Sequence, residues 1–268
     1  MITFVGNMRF VTSAALALLT LPVVLIATQS TAVAAAGGCI PVAAHRGVTY
    51  EHAENTKGSV QAALDLGVGF EVDLRTTVDG RIVLMHNARV AHSTNGHGLV
   101  SALTARQVRS FSTDDGQKVP FAFSILRMVQ QHPGSFVILD LKALPDSAQR
   151  ALALAIANLG IGSQVHAISF NQSLLDSFHQ LNPGVDARHT YSGALPAVDD
   201  PAIPGGADVV AGALTAEWGA AMQSAVRPFG VWGADEATAW SLANDVGADL
   251  VITDDPAGYL RWCANAPT

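Results

Sequence analysis

The chain contains 268 residues, of which 49% are hydrophobic and 14% are charged, and its formal net charge is −7 at pH 7. This is the composition of a globular protein, and it excludes a disordered chain and a fibrous repeat protein. Charged residues are sparse and mostly acidic, so no basic patch of the kind that binds nucleic acid is present, and we expect no nucleic-acid partner.

The N-terminal segment has the pattern of a secretory signal. Arg9 precedes an apolar run over residues 14–27, and Ala34 and Ala36 form a candidate cleavage site. This predicts a signal peptide over residues 1–36 and a soluble, exported mature protein, extracellular or in the cell envelope. The apolar run is short for a membrane span, and no later segment reaches about 18 uncharged apolar residues. An uncleaved membrane anchor is the alternative.

The two cysteines lie near the ends of the predicted mature protein. Cys39 comes just before the first predicted strand, and Cys263 lies near the C-terminus. An even pair in an exported chain favours a disulfide, which would join the two ends. Two free thiols or a lipidated Cys39 are the alternatives, although the leucine of a lipoprotein cleavage site is missing three residues before Cys39.

Strand-like and helix-like segments alternate along the rest of the chain. The strand-like segments cover residues 39–47, 70–77, 81–86, 135–142, 164–170, 186–193, 207–213, 229–235 and 248–256. The helix-like segments cover residues 55–67, 101–111, 121–134, 146–160, 171–184 and 236–247. Thr56 is a candidate N-cap for the first helix, Gly67 ends that helix, and Gly160 ends the fourth.

This alternation predicts right-handed βαβ units and therefore a parallel sheet. About eight such units in a chain of this length predict a (β/α)₈ TIM barrel, formed as one α/β domain over residues 37–268. A doubly wound open sheet is the alternative. No G-x-G-x-x-G motif follows the first strand, which argues against a dinucleotide-binding sheet. No pattern in the sequence predicts an oligomeric state.

Three acidic residues follow or interrupt apolar strand patterns. Glu71 and Asp73 project to the same side of their strand, because strand side chains alternate, and Asp140 lies near the end of another strand. Carboxylates that converge repel one another unless a cation is present, and oxygen ligands suit Ca²⁺ or Mg²⁺. The alternative is a solvated acidic face, or ion pairs with Arg75 and Lys142.

Two histidines and two cations occupy equivalent positions at predicted strand ends. His45 and His86 suit general acid and general base roles, because imidazole titrates near neutral pH. They could instead ligate a metal, but the hard oxygen ligands argue against zinc. Arg46 and Lys142 add positive charge and favour an anionic, phosphorylated substrate.

Several motifs together resemble the glycerophosphodiester phosphodiesterase family. They are "HRG", "AENT", "FEVDLRTTVDGRIVLMHN", "STNGHGLVSALTARQVRSF", "FVILDLK", "AISFN", "VWGAD" and "GADLVITDDP", in this order from residue 45 to residue 256. The resemblance implies a TIM barrel that cleaves glycerophosphodiesters to glycerol 3-phosphate and an alcohol, with a bound divalent cation. A small-molecule glycerophosphodiester or lysophospholipid is the substrate that it implies.

The resemblance also implies roles for individual residues. His45 and His86 match the acid–base pair of the family. Glu71, Asp73 and Asp140 match the acids that bind the metal.

Four further residues match family positions around that centre. Arg46 and Lys142 match the basic residues that contact the phosphate. Trp232 matches an aromatic residue of the pocket wall. Glu54 matches the acid of the "ENT" motif, for which we expect a supporting role beside the metal ligands rather than direct ligation.

The sequence departs from the family at several positions. The third acid is usually glutamate in "E-x-K" but is Asp140 here, and Asn87 and Ala53 replace a customary aspartate and proline. A "D-x-K" motif also appears in sphingomyelinase D-like barrels, which form a cyclic phosphate. A phospholipase of that kind and a non-catalytic, exported phosphodiester-binding barrel are therefore the alternative functions. The "ENT" and "TNGHG" segments favour the phosphodiesterase.

Overall fold

The structure is a computed structural model that describes residue 1, residues 38–201, residue 203 and residues 205–265. The signal peptide predicted over residues 1–36 lies outside the described residues, apart from residue 1, so it stays a prediction. Among the described residues, no helix combines the length and the apolar character that a membrane crossing requires.

The sheet of the protein closes on itself. In the described residues the strands are β1 (Val42–Ala44), β2 (Gly69–Thr76), β3 (Ile82–Leu84), β4 (Val137–Ala143), β5 (Val165–Ser169), β6 (Asp186–Tyr191), β7 (Ala207–Val210), β8 (Phe229–Trp232) and β9 (Leu250–Thr253). All except β3 pair in parallel, and β1 pairs with both β9 and β2, which closes an eight-stranded barrel. β3 pairs antiparallel with β2. The predicted TIM barrel is confirmed, and the open sheet is excluded.

Helices connect the strands. Their bounds in the described part of the chain are α1 (Lys57–Asp65), α2 (Ala105–Val108), α3 (Ala122–Gln131), α4 (Asp146–Leu159), α5 (Gln172–Leu181), α6 (Ala216–Ser224), α7 (Ala237–Asp245) and α8 (Pro256–Asn265). The predicted caps are confirmed, because the Thr56 side chain accepts a hydrogen bond from the Ser59 N–H and Gly160 ends α4 at φ +67°.

The sequence patterns misplaced part of the helical structure. The helix predicted over residues 101–111 is only the short α2, because Thr104 caps a new helix by accepting a hydrogen bond from the Gln107 N–H. Helices α6 and α8 were not predicted. Alanine and glycine dominate α6, so its apolar stripe is weak, and α8 follows directly after the last strand motif.

The strands separate two apolar regions. Alternate strand residues such as Phe70, Val72 and Leu74 face the outer core between strands and helices. The opposite faces point into the barrel, where a small inner core consists of Ala43, Ile138, Ile168, Leu250 and Ile252. The residues between the outer-core positions therefore point into the barrel, and on β2 these are Glu71 and Asp73.

A disulfide joins the two ends of the barrel domain. Cys39, before β1, and Cys263, in α8, are bonded across a sequence separation of 224 residues. This confirms the predicted pair and contradicts the free and lipidated alternatives for Cys39. A bond that closes so long a loop restricts the unfolded chain, which stabilises the domain by about 2–4 kcal/mol.

Candidate active site

Three acids meet inside the barrel near the carboxyl ends of β2 and β4. The two strands pair in a register that sets Asp73 beside Asp140, and Glu71 lies two residues before Asp73 on the same face. One carboxylate oxygen from each acid lies within 4.8 Å of the others. The exposed fractions are 2%, 1% and 5% for Glu71, Asp73 and Asp140. The alternative of a solvated acidic face is therefore wrong.

Burial and mutual repulsion act on the protonation of these acids. Burial, followed by the charges of Asp73 and Asp140, raises the pKa of Glu71 well above its usual value. Burial and Asp73 also raise the pKa of Asp140, although Lys142 opposes this. The Oδ1 atom of Asp140 is buried and has no hydrogen-bond partner among the residues that the structure describes. A site with three convergent carboxylates and one unpartnered buried oxygen fits a hard divalent cation.

Two cationic side chains border the acidic cluster. The Lys142 Nζ lies 2.5 Å from Asp140 Oδ2 and 3.2 Å from Asp73 Oδ1. The Arg46 Nε lies 3.5 Å from Asp73 Oδ2. Burial lowers the pKa of Lys142, but Asp140 and Asp73 outweigh it and raise the pKa overall, so Lys142 stays charged. The sequence allowed an ion pair with Lys142 as an alternative to a metal site. That ion pair is present, and it lies within the same cluster of acids.

The loop after β1 holds Arg46 in place. Arg46 adopts a left-handed backbone conformation with φ +58°, and its backbone N–H donates a 3.0 Å hydrogen bond to Glu71 Oε2. Its Nη1 donates to Glu54 Oε2 at 2.5 Å, and Glu54 Oε1 accepts from Ser93 Oγ at 2.8 Å. Glu54 therefore lies beside Arg46, a position that suits a supporting role, and that role stays a prediction.

Asn55 is a site residue that the sequence reasoning missed. Its Nδ2 donates to Asp73 Oδ2 at 2.7 Å, and its Oδ1 accepts from the Asp73 N–H at 2.9 Å. Asn55 reaches Asp73 from a left-handed backbone conformation with φ +57°. Its position between Glu54 and Thr56 in the "ENT" motif was the only available signal.

The first histidine is held by an acid that directly follows the last strand. His45 follows β1, and its Nδ1 lies 2.7 Å from Asp254 Oδ1. The hydrogen bond from His45 lowers the pKa of Asp254. His45 is also one of the groups that lower the pKa of Asp140, against the larger effect of burial.

The second histidine has a different environment. His86 Nδ1 is buried, and in the described part of the chain it has no hydrogen-bond partner. Burial lowers the pKa of His86, and the positive charges of Arg46 and Lys142 lower it further. The carbonyl oxygen of His86 accepts hydrogen bonds from Arg75 Nε at 2.9 Å and Nη2 at 2.6 Å. Arg75 thus holds the His86 backbone instead of forming the ion pair that was considered for it.

An aromatic wall borders the barrel mouth. Trp232, at the end of β8, donates from Nε1 to the Tyr191 carbonyl oxygen at 3.1 Å. Its ring packs edge-on against Phe170 at a centroid distance of 5.9 Å. The Lys142 Nζ lies 5.4 Å from the centre of the Phe170 ring. Trp232 therefore lies near the site as expected, and Phe170, which is 47% exposed, is a wall residue that the sequence reasoning missed.

The fold and the position of the site together define the class of protein. The protein is a TIM barrel whose convergent polar residues lie at the carboxyl ends of the strands, where barrels build their active sites. The model of the Glycerophosphoryl diester phosphodiesterase family matches residues 45–154. The resemblance that the motifs predicted is therefore confirmed over these residues.

A curated relative shows how far the similarity extends in sequence. A glycerophosphodiester phosphodiesterase from Bacillus altitudinis is 28% identical over 155 residues, which cover 53% of this chain and 63% of the relative. The match thus spans less than two thirds of that relative's length.

Solved structures extend the likeness to the whole barrel. A glycerophosphodiester phosphodiesterase from Parabacteroides distasonis has a TM-score of 0.71 at 20% identity, covering 84% of this chain and 98% of that one. A phosphodiesterase from Oleispira antarctica, in complex with the product sn-glycerol-3-phosphate, has a TM-score of 0.70 at 18% identity, covering 84% and 97%. At these identities the likeness supports the fold.

Proposed function

We propose that the protein is a metal-dependent glycerophosphodiester phosphodiesterase that releases glycerol 3-phosphate and an alcohol. The observation that carries this proposal is the buried cluster of Glu71, Asp73 and Asp140, with an unpartnered oxygen on Asp140. Lys142 and Arg46 border the cluster, which suits an anionic phosphodiester. The match to the family model over residues 45–154 and the glycerol 3-phosphate complex of a structural neighbour support the same substrate class.

Glu71, Asp73 and Asp140 are the residues that would hold a divalent cation, Ca²⁺ or Mg²⁺. Their oxygens converge, and their burial excludes competing water. When bound, such an ion supplies positive charge that stabilises the phosphoryl oxygens.

The remaining residues suit the proton transfers of the reaction. Hydrolysis forms a bond from a water oxygen to phosphorus and breaks the bond from phosphorus to the alcohol oxygen. One histidine of the pair His45 and His86 accepts the proton from water, and the other donates a proton to the departing alcohol. Arg46 and Lys142 offset negative charge on the phosphoryl oxygens in the transition state.

A second candidate function rests on Asp140. In a sphingomyelinase D-like reaction, a hydroxyl of the substrate itself attacks the phosphorus, and the bond from phosphorus to the other alcohol oxygen breaks. The products are a cyclic phosphate and the free alcohol. The "D-x-K" motif favours this reaction, and its two charged residues, Asp140 and Lys142, are in direct contact. The same residues would serve both reactions, so the identity of the product is what distinguishes hydrolysis from cyclisation.

The proposal includes an exported location. It is supported by the signal-like pattern before residue 37 and by the Cys39–Cys263 disulfide, since disulfides persist in oxidising compartments. Fractionation of the native host, with mass measurement of the N-terminus, tests it. Intact residues 1–36 on a protein in the reducing cytoplasm would contradict it.

The function is tested by one assay with identified products. The purified protein is given glycerophosphocholine, glycerophosphoethanolamine, lysophosphatidylcholine or sphingomyelin, with Ca²⁺, Mg²⁺ or a chelator, and products are read by ³¹P NMR. We expect glycerol 3-phosphate from the glycerophosphodiesters only when a cation is present. A cyclic phosphate supports the second candidate. Binding without turnover at every cation concentration indicates a non-catalytic barrel, and activity that survives chelation overturns the metal-dependent proposal.

A further inference from the structure

The register of two strands sets His45 beside an acid. β1 and β9 pair in parallel with Ala44 opposite Thr253, and the His45 N–H donates to the Thr253 carbonyl oxygen at 2.9 Å. The next residues along the two strands, His45 and Asp254, therefore lie side by side. Their contact of 2.7 Å is a direct consequence of the barrel closure.

The contact determines which ring nitrogen of His45 is available to a substrate. An ionised carboxylate only accepts hydrogen bonds, so the Nδ1 of His45 is the donor. The hydrogen bond itself favours the ionised form of Asp254 by lowering its pKa. Because Nδ1 and Nε2 lie on opposite sides of the imidazole, the Nε2 atom faces away from Asp254 and is the nitrogen that can exchange a proton with a substrate.

Asp254 is held in turn by an acid from another loop. The Oδ1 of Asp235, three residues after β8, accepts from the Asp254 N–H at 2.7 Å and from Thr253 Oγ1 at 3.0 Å. Thr253 Oγ1 also accepts from the Asp255 N–H at 3.1 Å. These bonds fix the backbone from which the Asp254 side chain reaches His45, although that side chain is 58% exposed.

We propose that Asp254 is a positioning residue that fixes the ring orientation and the Nδ1–H tautomer of His45, and that Asp235 fixes Asp254. The inference rests on the proposed function, because it gives His45 a proton-transfer role. His86 has no comparable partner on its Nδ1, so the two histidines of the pair are held by different means.

The effect on catalysis follows from the tautomer. Without the carboxylate, the ring of His45 can rotate and can carry its proton on either nitrogen, so the productive arrangement is less populated. Partners that orient a functional histidine typically contribute on the order of 10-fold to 100-fold. The loss is expected in kcat rather than in KM, because Asp254 touches His45 and not the acids or cations that would hold the phosphodiester.

The test compares Asp254→Asn with Asp255→Asn in the full mature protein, disulfide intact. Asp255 is the matched control, because its carboxylate accepts from the Gly258 N–H and does not contact His45. We expect Asp254→Asn to lower kcat for glycerophosphocholine by about 10-fold to 100-fold, with KM nearly unchanged and the His45 limb of the pH–rate profile displaced. Asp235→Asn should give a smaller loss of the same kind. Arg46 interacts electrostatically with Asp254, and Asp140 interacts with His45. Both residues are unchanged in all variants.

A second readout separates the two proposals. Long-range ¹H–¹⁵N spectra of histidine-labelled protein report the tautomer of His45 without any turnover. The inference predicts Nδ1–H in the wild type and a mixture of tautomers in Asp254→Asn. If the wild type cleaves no phosphodiester, the proposed function fails while this measurement still tests the positioning role. Unchanged kcat, pH profile and His45 spectra in Asp254→Asn would overturn the inference.

Discussion

Each end of the barrel interior contains a cluster of charged side chains, with the inner apolar core between them. The upper cluster, at the carboxyl ends of the strands, consists of three acids and two cations at its edge. The lower cluster, near the amino ends of β5, β6, β7 and β9, consists of His166, Asp186, Arg188, Asp208 and Asp249. The acids of the upper cluster are buried, whereas the lower cluster combines buried Arg188 and Asp208 with half-buried His166, Asp186 and Asp249. The two clusters also balance their charges differently.

In the lower cluster a single arginine contacts its acids directly. Arg188 donates to Asp249 through two hydrogen bonds of 2.6 and 3.0 Å and to Asp186 through one of 2.6 Å. His166 Nδ1 lies 3.0 Å from the same Asp186 oxygen. The acids together raise the pKa of Arg188 despite its burial, so the guanidinium remains charged. Asp186 and Asp249 are therefore neutralised within the protein, and Asp208 lies 3.8 Å from the same guanidinium.

The upper cluster instead leaves acidic oxygens unbalanced. Lys142 contacts Asp73 and Asp140, but Glu71 accepts only a backbone N–H, and one oxygen of Asp140 accepts nothing. Burial, followed by the charges of Asp73 and Asp140, raises the pKa of Glu71. The comparison teaches that buried acids alone do not indicate a binding site. The indication comes from carboxylate oxygens that lie within 4.8 Å of one another, as those of Glu71, Asp73 and Asp140 do.

The largest expected effect is on folding and comes from the lower cluster. Arg188→Met leaves three acids without their cation, which we expect to reduce the free energy of unfolding by about 3–5 kcal/mol. Urea unfolding measures this. Arg261→Met is the control, because Arg261 is exposed and its closest acidic oxygen, on Asp255, is 3.9 Å away. Equal stabilities of the two variants would show that the lower cluster does not hold the barrel together.

The next effect is on activity and comes from the upper cluster. Asp73→Asn keeps the shape of the side chain but removes a central carboxylate, and we expect kcat/KM for glycerophosphocholine to fall by about 10²-fold to 10³-fold. Its matched control is Asp249→Asn, an acid of the lower cluster, which should keep activity within a few-fold of wild type. Equal losses of activity in the two variants would contradict the assignment of the active site to the upper cluster.

A bound cation should stabilise the folded protein, and it should do so through the upper cluster alone. Ca²⁺ or Mg²⁺ at about 100 times its Kd raises the free energy of unfolding by about 2.7 kcal/mol if it binds only the folded state. We expect this gain in the wild type and in Asp249→Asn, and its loss in Asp140→Asn. Thermal unfolding with and without the ion measures it. An equal gain in Asp140→Asn would place the cation elsewhere.

The smallest expected effect is a pH dependence that separates the clusters. Burial raises the pKa of Asp208 to about 7, and neither of its oxygens has a hydrogen-bond partner. Because an unfolded aspartate titrates near about 3.9, the folded protein binds more protons than the unfolded chain between these values. The free energy of unfolding therefore falls as pH rises through this window. Asp208→Asn should remove that slope and should be more stable than wild type at pH 8, where the buried carboxyl of the wild type is ionised.

Added cation distinguishes this slope from the one in the upper cluster. Glu71 and Asp140 also have raised pKa values and give the same sign of pH dependence. A bound cation favours their ionised forms and should remove their part of the slope, while the part from Asp208 persists. Disappearance of the whole slope on adding the ion would contradict a separate lower cluster.

The sequence predicted the upper cluster because its acids interrupt apolar strand patterns and recur in motifs. The barrel followed from the same alternation of strands and helices. The lower cluster was not predicted, because Asp186, Arg188, Asp208 and Asp249 are spread over three strand beginnings, where charges resemble ordinary surface residues. Only the parallel register brings them together.

Two further site contacts depend on geometry that sequence patterns do not contain. Asn55 reaches Asp73 because its backbone is left-handed, and no residue pattern specified that conformation. Asp254 lies at a strand end, but its pairing with His45 needs the closure of β1 onto β9, which joins residues 209 positions apart. The sequence therefore predicts local structure, but it does not predict which distant strand residues pair with each other.

Isothermal titration calorimetry of Ca²⁺ and Mg²⁺ into the chelator-treated protein tests the central claim most directly, because it needs no assumption about the substrate. The account predicts one bound cation per chain in the wild type and in Asp249→Asn, and no binding in Asp73→Asn. Absence of binding of either ion to the wild type, or unchanged binding in Asp73→Asn, would contradict the assignment of Glu71, Asp73 and Asp140 as the cation site.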